Sequence, residues 1–112
     1  MAEIRDLNRF RGMIGLAAKA GKIRSGEFSA EESIKSNKAR ICILPSDASE
    51  RTQKHFNDMC NYRDIPIFTV NIDKEALGHM IGRGARSSVV IEDAGFVKSI
   101  LGLIDGGIAS GK

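Results

Sequence analysis

One short run of apolar residues constrains the fold of this chain more than any other feature. Residues 39–44 read Ala-Arg-Ile-Cys-Ile-Leu and are followed by Pro45. A strand with one face in water alternates apolar and polar residues, whereas an unbroken apolar run is typical of a strand covered on both faces. The sequence therefore predicts a buried central strand with helices on each side of its sheet.

Extended and helical patterns alternate along the rest of the chain. Further extended segments are predicted at 23–25, 65–70 and 87–92. Helices are predicted from Ile4 to a cap at Gly21, from 26 to 36, from Ser49 to 61, from Asp73 to 81 and from 94 to 104. This alternation predicts an α/β fold: a three-layer α/β/α sandwich on a mixed sheet of about four strands.

Three details of these helices can be tested against the structure. Ser25 and Ser49 stand where serine side chains accept the first free N–H groups of a helix, so both are predicted N-caps. Gly12 and Gly15 lie inside the first predicted helix. Since a glycine costs about 1 kcal/mol of helix stability relative to alanine, both positions indicate close packing.

The chain length allows one hydrophobic core. With 112 residues, we expect a single domain over 1–105 and a flexible tail over 106–112. No apolar run approaches the roughly 18 residues of a membrane span, and the first residues do not resemble a secretory signal. We therefore expect a cytoplasmic protein without a membrane partner, and a monomer.

The cysteines and histidines do not form a metal motif. Cys42 lies in the apolar run and Cys60 near the end of a helical pattern, and both are predicted to be reduced thiols, Cys42 in the core. His55 is predicted to be solvated on a polar helix, and His79 lies far from the cysteines. Zinc needs three or four clustered ligands, so we expect no metal and no cofactor.

No motif in the sequence predicts catalysis or nucleotide binding. Residues 106–112 match the Gly-x4-Gly-Lys spacing of a phosphate-binding loop, but such a loop must follow a strand and open a helix, and no Ser or Thr for magnesium and no helix follow Lys112. The acidic pairs Asp47 with Glu50 and Glu92 with Asp93 fit helix starts better than acid–base catalysis. We therefore expect no enzymatic activity.

Positive charge is concentrated in the first third of the chain. Residues 1–40 hold nine Lys or Arg against five Asp or Glu, whereas residues 41–80 hold four against six. This excess is compatible with attraction to a polyanion. It is equally compatible with a solvated surface helix.

Two glycine-containing basic loops are the candidate binding site, and we expect both at one end of the sandwich. Glycines allow a close backbone approach, a helix start offers free N–H groups to phosphate, and arginines supply charge. The candidate RNA-binding residues at the start of the second helix are Lys22, Arg24, Gly26, Glu27, Phe28 and Ser29; those before the last main strand are Arg83, Gly84, Ala85, Arg86 and Ser87.

Phe28 has two possible roles. An exposed aromatic ring beside basic loops can stack on an unpaired base, which contributes about 1–3 kcal/mol. Alternatively, the ring packs against core residues and fixes the direction in which the chain enters the helix.

Several short motifs follow one another as in a known family: Gly26-Glu27, residues 39–44, Asp47-Ala48-Ser49, Cys60-Asn61-Tyr62, Ile65-Pro66 and Leu77-Gly78. In this order and spacing the chain resembles the kink-turn-binding ribosomal protein family, in its bacterial L-seven-Ae-like branch, over about residues 8–104. The resemblance implies an α/β/α sandwich that binds a sharply bent RNA internal loop. It also implies that the second helix meets sheared G·A pairs and that the loop before the last strand covers an extruded nucleotide.

The chain departs from the family pattern at the second helix. Gly26 and Glu27 match, but Phe28 and Ser29 replace polar residues, often Asn and Glu, and Glu32 stands where the family usually has a lysine that contacts RNA. An anion in place of a phosphate-binding cation removes an attraction and adds a repulsion.

Two functions are therefore predicted. The first is binding of structured RNA, ribosomal or regulatory, through the two loops, with Arg83 and Arg86 on backbone phosphate. The alternative, suggested by Phe28, Glu31 and Glu32, is a ribosome-associated protein-interaction module that has kept the fold and lost kink-turn specificity.

Overall fold

The computed structural model describes residues 1–105. The predicted tail and the Gly-Lys spacing both fall on residues 106–112 and lie outside the described residues.

Five helices alternate with short strands along the described chain. The helices are α1 Leu7–Lys19, α2 Glu27–Lys35, α3 Glu50–Tyr62, α4 Lys74–Met80 and α5 Ala94–Leu101. The strands are β1 Glu3–Ile4, β2 Ile23–Ser25, β3 Ile41–Leu44, β4 Ile67–Thr69, β5 Val89–Ile91 and β6 Ile104–Asp105.

Four strands form the central sheet, in the order β2-β5-β3-β4. Strand β3 is parallel to β4 and antiparallel to β5, and β5 is antiparallel to β2. A separate antiparallel ribbon joins β1 to β6. The predicted mixed sheet of about four strands is confirmed.

Strand β3 separates two hydrophobic cores, one on each face of the sheet. Its apolar sequence predicts burial on both faces, but the single core expected from the chain length was wrong. Ile41 and Ile43 face a core shared with α1, α4 and α5, whereas Cys42 and Leu44 face a core shared with α2 and α3. All four side chains are fully buried. Helices therefore cover both faces of the sheet, and the three-layer sandwich is confirmed.

Two residues assigned to helices lie in strands instead. Ile4 belongs to β1 and Ile104 to β6, where the two residues are paired across the ribbon. Helix α1 begins only after Asp6, whose side chain accepts a hydrogen bond from the backbone N–H of Arg9 at 3.1 Å. The helical spacing of Ile4 is thus coincidental, because its side chain reaches the same core from a strand.

Two predictions about helix ends and packing were also wrong. Gly26, not Ser25, is the N-cap of α2, with φ of 87°, and no side chain caps this helix. Gly12 has no close neighbour in the described part of the chain, since a Cβ placed there would meet no atom within 4 Å. Gly15 is in ordinary contact with the carbonyl oxygen of Met80 at 3.7 Å. The N-cap role of Ser49 is confirmed by its bond from the N–H of Thr52.

The two cysteines are neighbours in the core beneath α2 and α3. Cys42 and Cys60 are free, fully buried thiols. A hydrogen bond between the two side chains, together with burial, raises the pKa of the Cys42 thiol well above its ordinary value. Among residues 1–105, no group of three His, Cys, Asp or Glu side chains could hold a metal ion.

The helices of the described chain are too short to cross a bilayer. The longest have 13 residues, which at 1.5 Å per residue is about 20 Å of helix, against about 30 Å of hydrocarbon. None of those in residues 1–105 meets the length and apolarity that a membrane span needs.

Candidate nucleic-acid interface

The sheet brings the two predicted loops together at one end of the sandwich. Strand β2 runs antiparallel to β5, with Ser25 opposite Val89. The residues that follow β2 therefore lie beside those that precede β5. The backbone N–H of Gly26 donates to the carbonyl oxygen of Ser88 at 3.1 Å, which joins the two loops directly.

Helix α2 begins at this junction with its backbone N–H groups uncapped. The positive φ of Gly26 turns the chain from β2 into the helix, a conformation that costs glycine little. No side chain in residues 1–105 accepts the first N–H groups of α2, so its positive end is available to an anion. Glu27 in the first turn is exposed and partly offsets that charge.

The second loop is held by backbone contacts with α4. The N–H of Arg83 donates to the carbonyl oxygen of Gly78 at 2.9 Å, and the N–H of Arg86 donates to that of Lys74 at 3.0 Å. A Cβ on Gly78 would overlap the carbonyl oxygen of Gly84. The loop can therefore lie against α4 only because residue 78 is a glycine.

The two arginines of this loop have different surroundings. Arg86 is half-buried, and its guanidinium donates from Nε to Ser25 Oγ at 3.0 Å and from Nη1 to the carbonyl oxygen of Ala85 at 3.1 Å. Arg83 is exposed, and its side chain has no hydrogen-bond or ion-pair partner within residues 1–105. Arg86 thus connects the loop to β2, whereas the charge of Arg83 is free.

The cations on the β2 side differ in the same way. Arg24 lies 3.8 Å from Glu92 and also donates to the carbonyl oxygen of Ile23 at 3.0 Å. Glu92 in turn accepts a hydrogen bond of 2.6 Å from Ser33 Oγ. The Lys22 side chain is exposed and has no partner in the described part of the chain. Lys22 and Arg83 are therefore the unpaired cations among the predicted residues.

Two cavities open between the loops. The first, which we call the loop groove, holds about 380 Å³ and is lined by Ala18, Ile23, Arg24, Ser25, Ser29, Ile81, Arg83 and Arg86. The second, the α2/α3 cavity, holds about 330 Å³ and is lined by Ser25, Gly26, Glu27, Thr52, Phe56, Ala85, Arg86, Ser87 and Ser88. Arg86 lies between the two and borders both.

The α2/α3 cavity contains an unsatisfied polar atom. The hydroxyl of Ser88 is fully buried and has no hydrogen-bond partner in the described structure. A buried hydroxyl without a partner is unfavourable and is uncommon in folded proteins. Ser88 belongs to the lining of this cavity, so a small displacement of the lining would be needed before a ligand could reach its hydroxyl.

Phe28 is 80% exposed. Of the two roles considered for Phe28, packing of the ring against the core is therefore wrong, because an inward ring would lose most of its exposed surface. Ser29, the next residue, lines the loop groove. Phe28 projects from the first turn of α2 beside the candidate interface.

Glu31 and Glu32, two of the three glutamates of α2, have different surroundings. Glu31 accepts from His55 Nε2 at 3.0 Å and pairs with Lys35 at 2.7 Å, so His55 is not simply solvated as predicted. The hydrogen bond with His55, and then the one with Lys35, lowers the pKa of the Glu31 carboxyl. Glu32 is exposed and lines a third groove of about 290 Å³ with Arg24, Lys38 and Glu92 among others.

Sequence reasoning did not assign several residues of this region to the site. Thr52 and Phe56 reach the α2/α3 cavity from α3, and nothing in their local sequence marks them. The pairing of Glu92 with Arg24 joins residues far apart in the chain. The close approach of the Gly84 carbonyl to Gly78 could have been suspected from the sequence, because a glycine interrupts a short predicted helix there.

The fold and this end of it define a class of protein: an α/β/α sandwich with paired basic, glycine-containing loops at the edge of its sheet. The chain belongs to the ribosomal protein L7Ae/L30e/S12e/Gadd45 family, whose model matches residues 8–101. The family expected from the sequence motifs is thereby confirmed.

Similar proteins come from several organisms. The RNA-binding protein YlxQ of Bacillus subtilis (strain 168) is 37% identical over 93 residues, which cover 83% of this chain and 92% of that protein. The RNA-binding protein YlxQ of Enterococcus faecium is 39% identical over 101 residues, covering 88% and 96%.

Solved structures agree with the fold. A protein of unknown function from Bacillus halodurans C superposes with a TM-score of 0.79 at 30% identity and covers 85% of this chain and 95% of its own. The 15.5kD RNA binding protein of Giardia lamblia has a TM-score of 0.71 at 19% identity, covering 86% and 83%, and so supports the fold alone.

Proposed function

We propose that this protein binds structured RNA of the kink-turn type through the start of α2 and the loop before β5. The observation that carries the proposal is the direct junction of the two loops, from Gly26 to Ser88, with Lys22 and Arg83 unpaired beside it. Membership of the family and the RNA-binding names of two relatives support it.

The surroundings of each cation suggest a division of roles. Lys22 and Arg83 would contact backbone phosphate, because neither charge has an ion-pair partner within residues 1–105. Arg86 and Arg24 would act mainly by holding the loops in place, since their guanidinium groups already bond Ser25 and Glu92. The free N–H groups of α2 would face RNA beside Gly26.

The α2/α3 cavity is the proposed site of an extruded nucleotide. Its volume of about 330 Å³ lies within the range of small-ligand pockets. Among its lining residues, Glu27 and Ala85 are exposed and would meet the nucleotide first, whereas Phe56 and the unsatisfied Ser88 hydroxyl are fully buried. The exposed ring of Phe28 would stack on a neighbouring unpaired base.

One observation favours the alternative, a ribosome-associated protein-interaction module without kink-turn specificity. Glu32 is exposed beside the proposed interface and has no ion pair within residues 1–105. If the first function holds, Glu32→Lys should tighten RNA binding by removing a repulsion and adding a contact.

The deciding experiment is a calorimetric titration of the full chain with two RNAs. One is a standard kink-turn, and the other has the same length with its sheared G·A pairs replaced by Watson–Crick pairs. We expect micromolar or tighter binding of the kink-turn in moderate salt, with one protein monomer per RNA, and much weaker binding of the control. Equal affinities would contradict kink-turn recognition, and binding to neither RNA would favour the alternative.

A further inference from the structure

A groove between α1 and α5 lies apart from both loops. It holds about 410 Å³, and its walls include Arg9, Gly12, Met13 and Leu16 of α1 and Gly102 and Leu103 after α5. We call it the α1/α5 groove. None of these residues lines the loop groove or the α2/α3 cavity.

Two positions on this face are unfavourable unless something covers them. Gly12 weakens α1, yet a Cβ there would meet no atom within 4 Å, so no contact inside the described chain requires a glycine. Leu16, one turn further along the same face, is 54% exposed. A glycine with open space above it allows another backbone to approach closely.

The two helices that form the groove carry only positive charge. Helix α1 contains Arg9, Arg11 and Lys19 and no acidic residue, and α5 contains Lys98 and no acidic residue. The side chains of Arg9 and Lys98 have no ion-pair partner within residues 1–105. A second copy of this face would be repelled, whereas an acidic partner would be attracted.

We propose that the α1/α5 groove binds an acidic amphipathic α-helix of a partner protein. Apolar side chains of that helix would pack against Met13, Leu16 and Leu103, and its flanking carboxylates would meet Arg9 and Lys98. The open position at Gly12 would let the two helix axes come close. RNA fits this face less well, because its apolar walls include no aromatic side chain on which a base could stack.

The test uses the full chain and two synthetic helical peptides. Both present leucines on one face, and glutamates flank that face in the first peptide and lysines in the second. We expect the glutamate peptide to bind at least about tenfold more tightly than the lysine peptide. In NMR spectra of the protein, the amides of Gly12 and Gly102 should shift with the glutamate peptide.

Two variants separate docking from folding. Gly12→Gln should leave the fold intact, because the side chain enters open space and glutamine is the better helix former, yet it should abolish peptide binding. Leu16→Glu should do the same by placing an anion in the groove. Arg51→Gln, an exposed cation at the start of α3, is the matched control and should bind the peptide as the parent protein does.

Three outcomes would overturn the proposal. The first is that the protein binds both peptides with equal affinity, or binds neither. The second is that Gly12→Gln binds the glutamate peptide as tightly as the parent protein does. The third is that RNA or a raised protein concentration, and not the peptide, shifts the Gly12 and Gly102 amides. Binding of kink-turn RNA by Gly12→Gln is a separate measurement, so failure here is distinguishable from failure of the proposed RNA-binding function.

Discussion

Arg83 and Arg86 are three residues apart in one loop, yet the protein uses them differently. Arg83 is exposed and has no side-chain partner among residues 1–105, whereas Arg86 spans 61 residues of sequence to bond Ser25. The sequence predicts that both are basic loop residues. It could not predict which one is free, because that depends on a contact between distant segments.

The two arginines should therefore respond differently to substitution. Arg83→Ala should weaken RNA binding, lower the slope of log affinity against log salt by about 1, and leave the free energy of unfolding unchanged. Arg86→Lys should weaken binding although it keeps the charge, because lysine lacks the guanidinium fork that reaches both Ser25 and Ala85.

Salt-dependent titrations and denaturant unfolding measure the two effects. Lys98→Ala, an exposed cation on α5 that lines neither the loop groove nor the α2/α3 cavity, is the control for charge. If Arg83→Ala kept the full salt slope, the proposed phosphate contact would be wrong.

Substitution of Gly78 should affect both the stability of the fold and RNA binding. Gly78→Ala would force a Cβ against the Gly84 carbonyl oxygen, so the loop must move away from α4. We expect a loss of about 1–3 kcal/mol in the free energy of unfolding, as for other overpacked sites, together with weaker RNA binding. Gly84→Ala is the control for stability, because a Cβ there enters open space. Equal stability of the two variants would contradict the close approach.

Among the elements, α2 and α3 are joined by a titratable link. Glu31 on α2 accepts from His55 on α3, and its lowered pKa means that the folded state favours the carboxylate. This contribution to stability is fully present above the ordinary glutamate pKa and is lost as pH falls through the lower, folded-state value. Stability should therefore decline on acidification below about pH 4.5.

Glu31→Gln tests this link. The variant cannot ionise at residue 31, so its free energy of unfolding should fall less steeply than that of the parent protein between about pH 5 and 3. Urea unfolding at several pH values gives both curves. Parallel curves would show that Glu31 does not contribute to the acid sensitivity.

Helices and strands could be predicted from the sequence where their apolar residues repeat over enough positions to show a helical or extended spacing. The apolar run of β3 and the Ser49 cap of α3 are local signals, and the structure agrees with both. Strands β1 and β6 have two residues each, too few for any periodicity. Their pairing brings the two ends of the domain together, so no short segment of the sequence contains both partner strands.

For the whole molecule, the two proposed surfaces use separate residues, so they should bind independently. The full chain should form a ternary complex with kink-turn RNA and the glutamate peptide. Arg83→Ala should weaken only the RNA affinity, and Gly12→Gln only the peptide affinity. Competition between RNA and peptide in the titration would contradict this separation.

The hydrogen bond from Gly26 to Ser88 also has a consequence for the order of events during synthesis. Strand β2 emerges early from the ribosome, but its partner β5 emerges only when most of the domain has been made. Such non-local pairing is slow to form. A nascent chain ending before Ser88 therefore lacks the junction of the two loops, and deuterium uptake at the Gly26 amide would show when the junction closes.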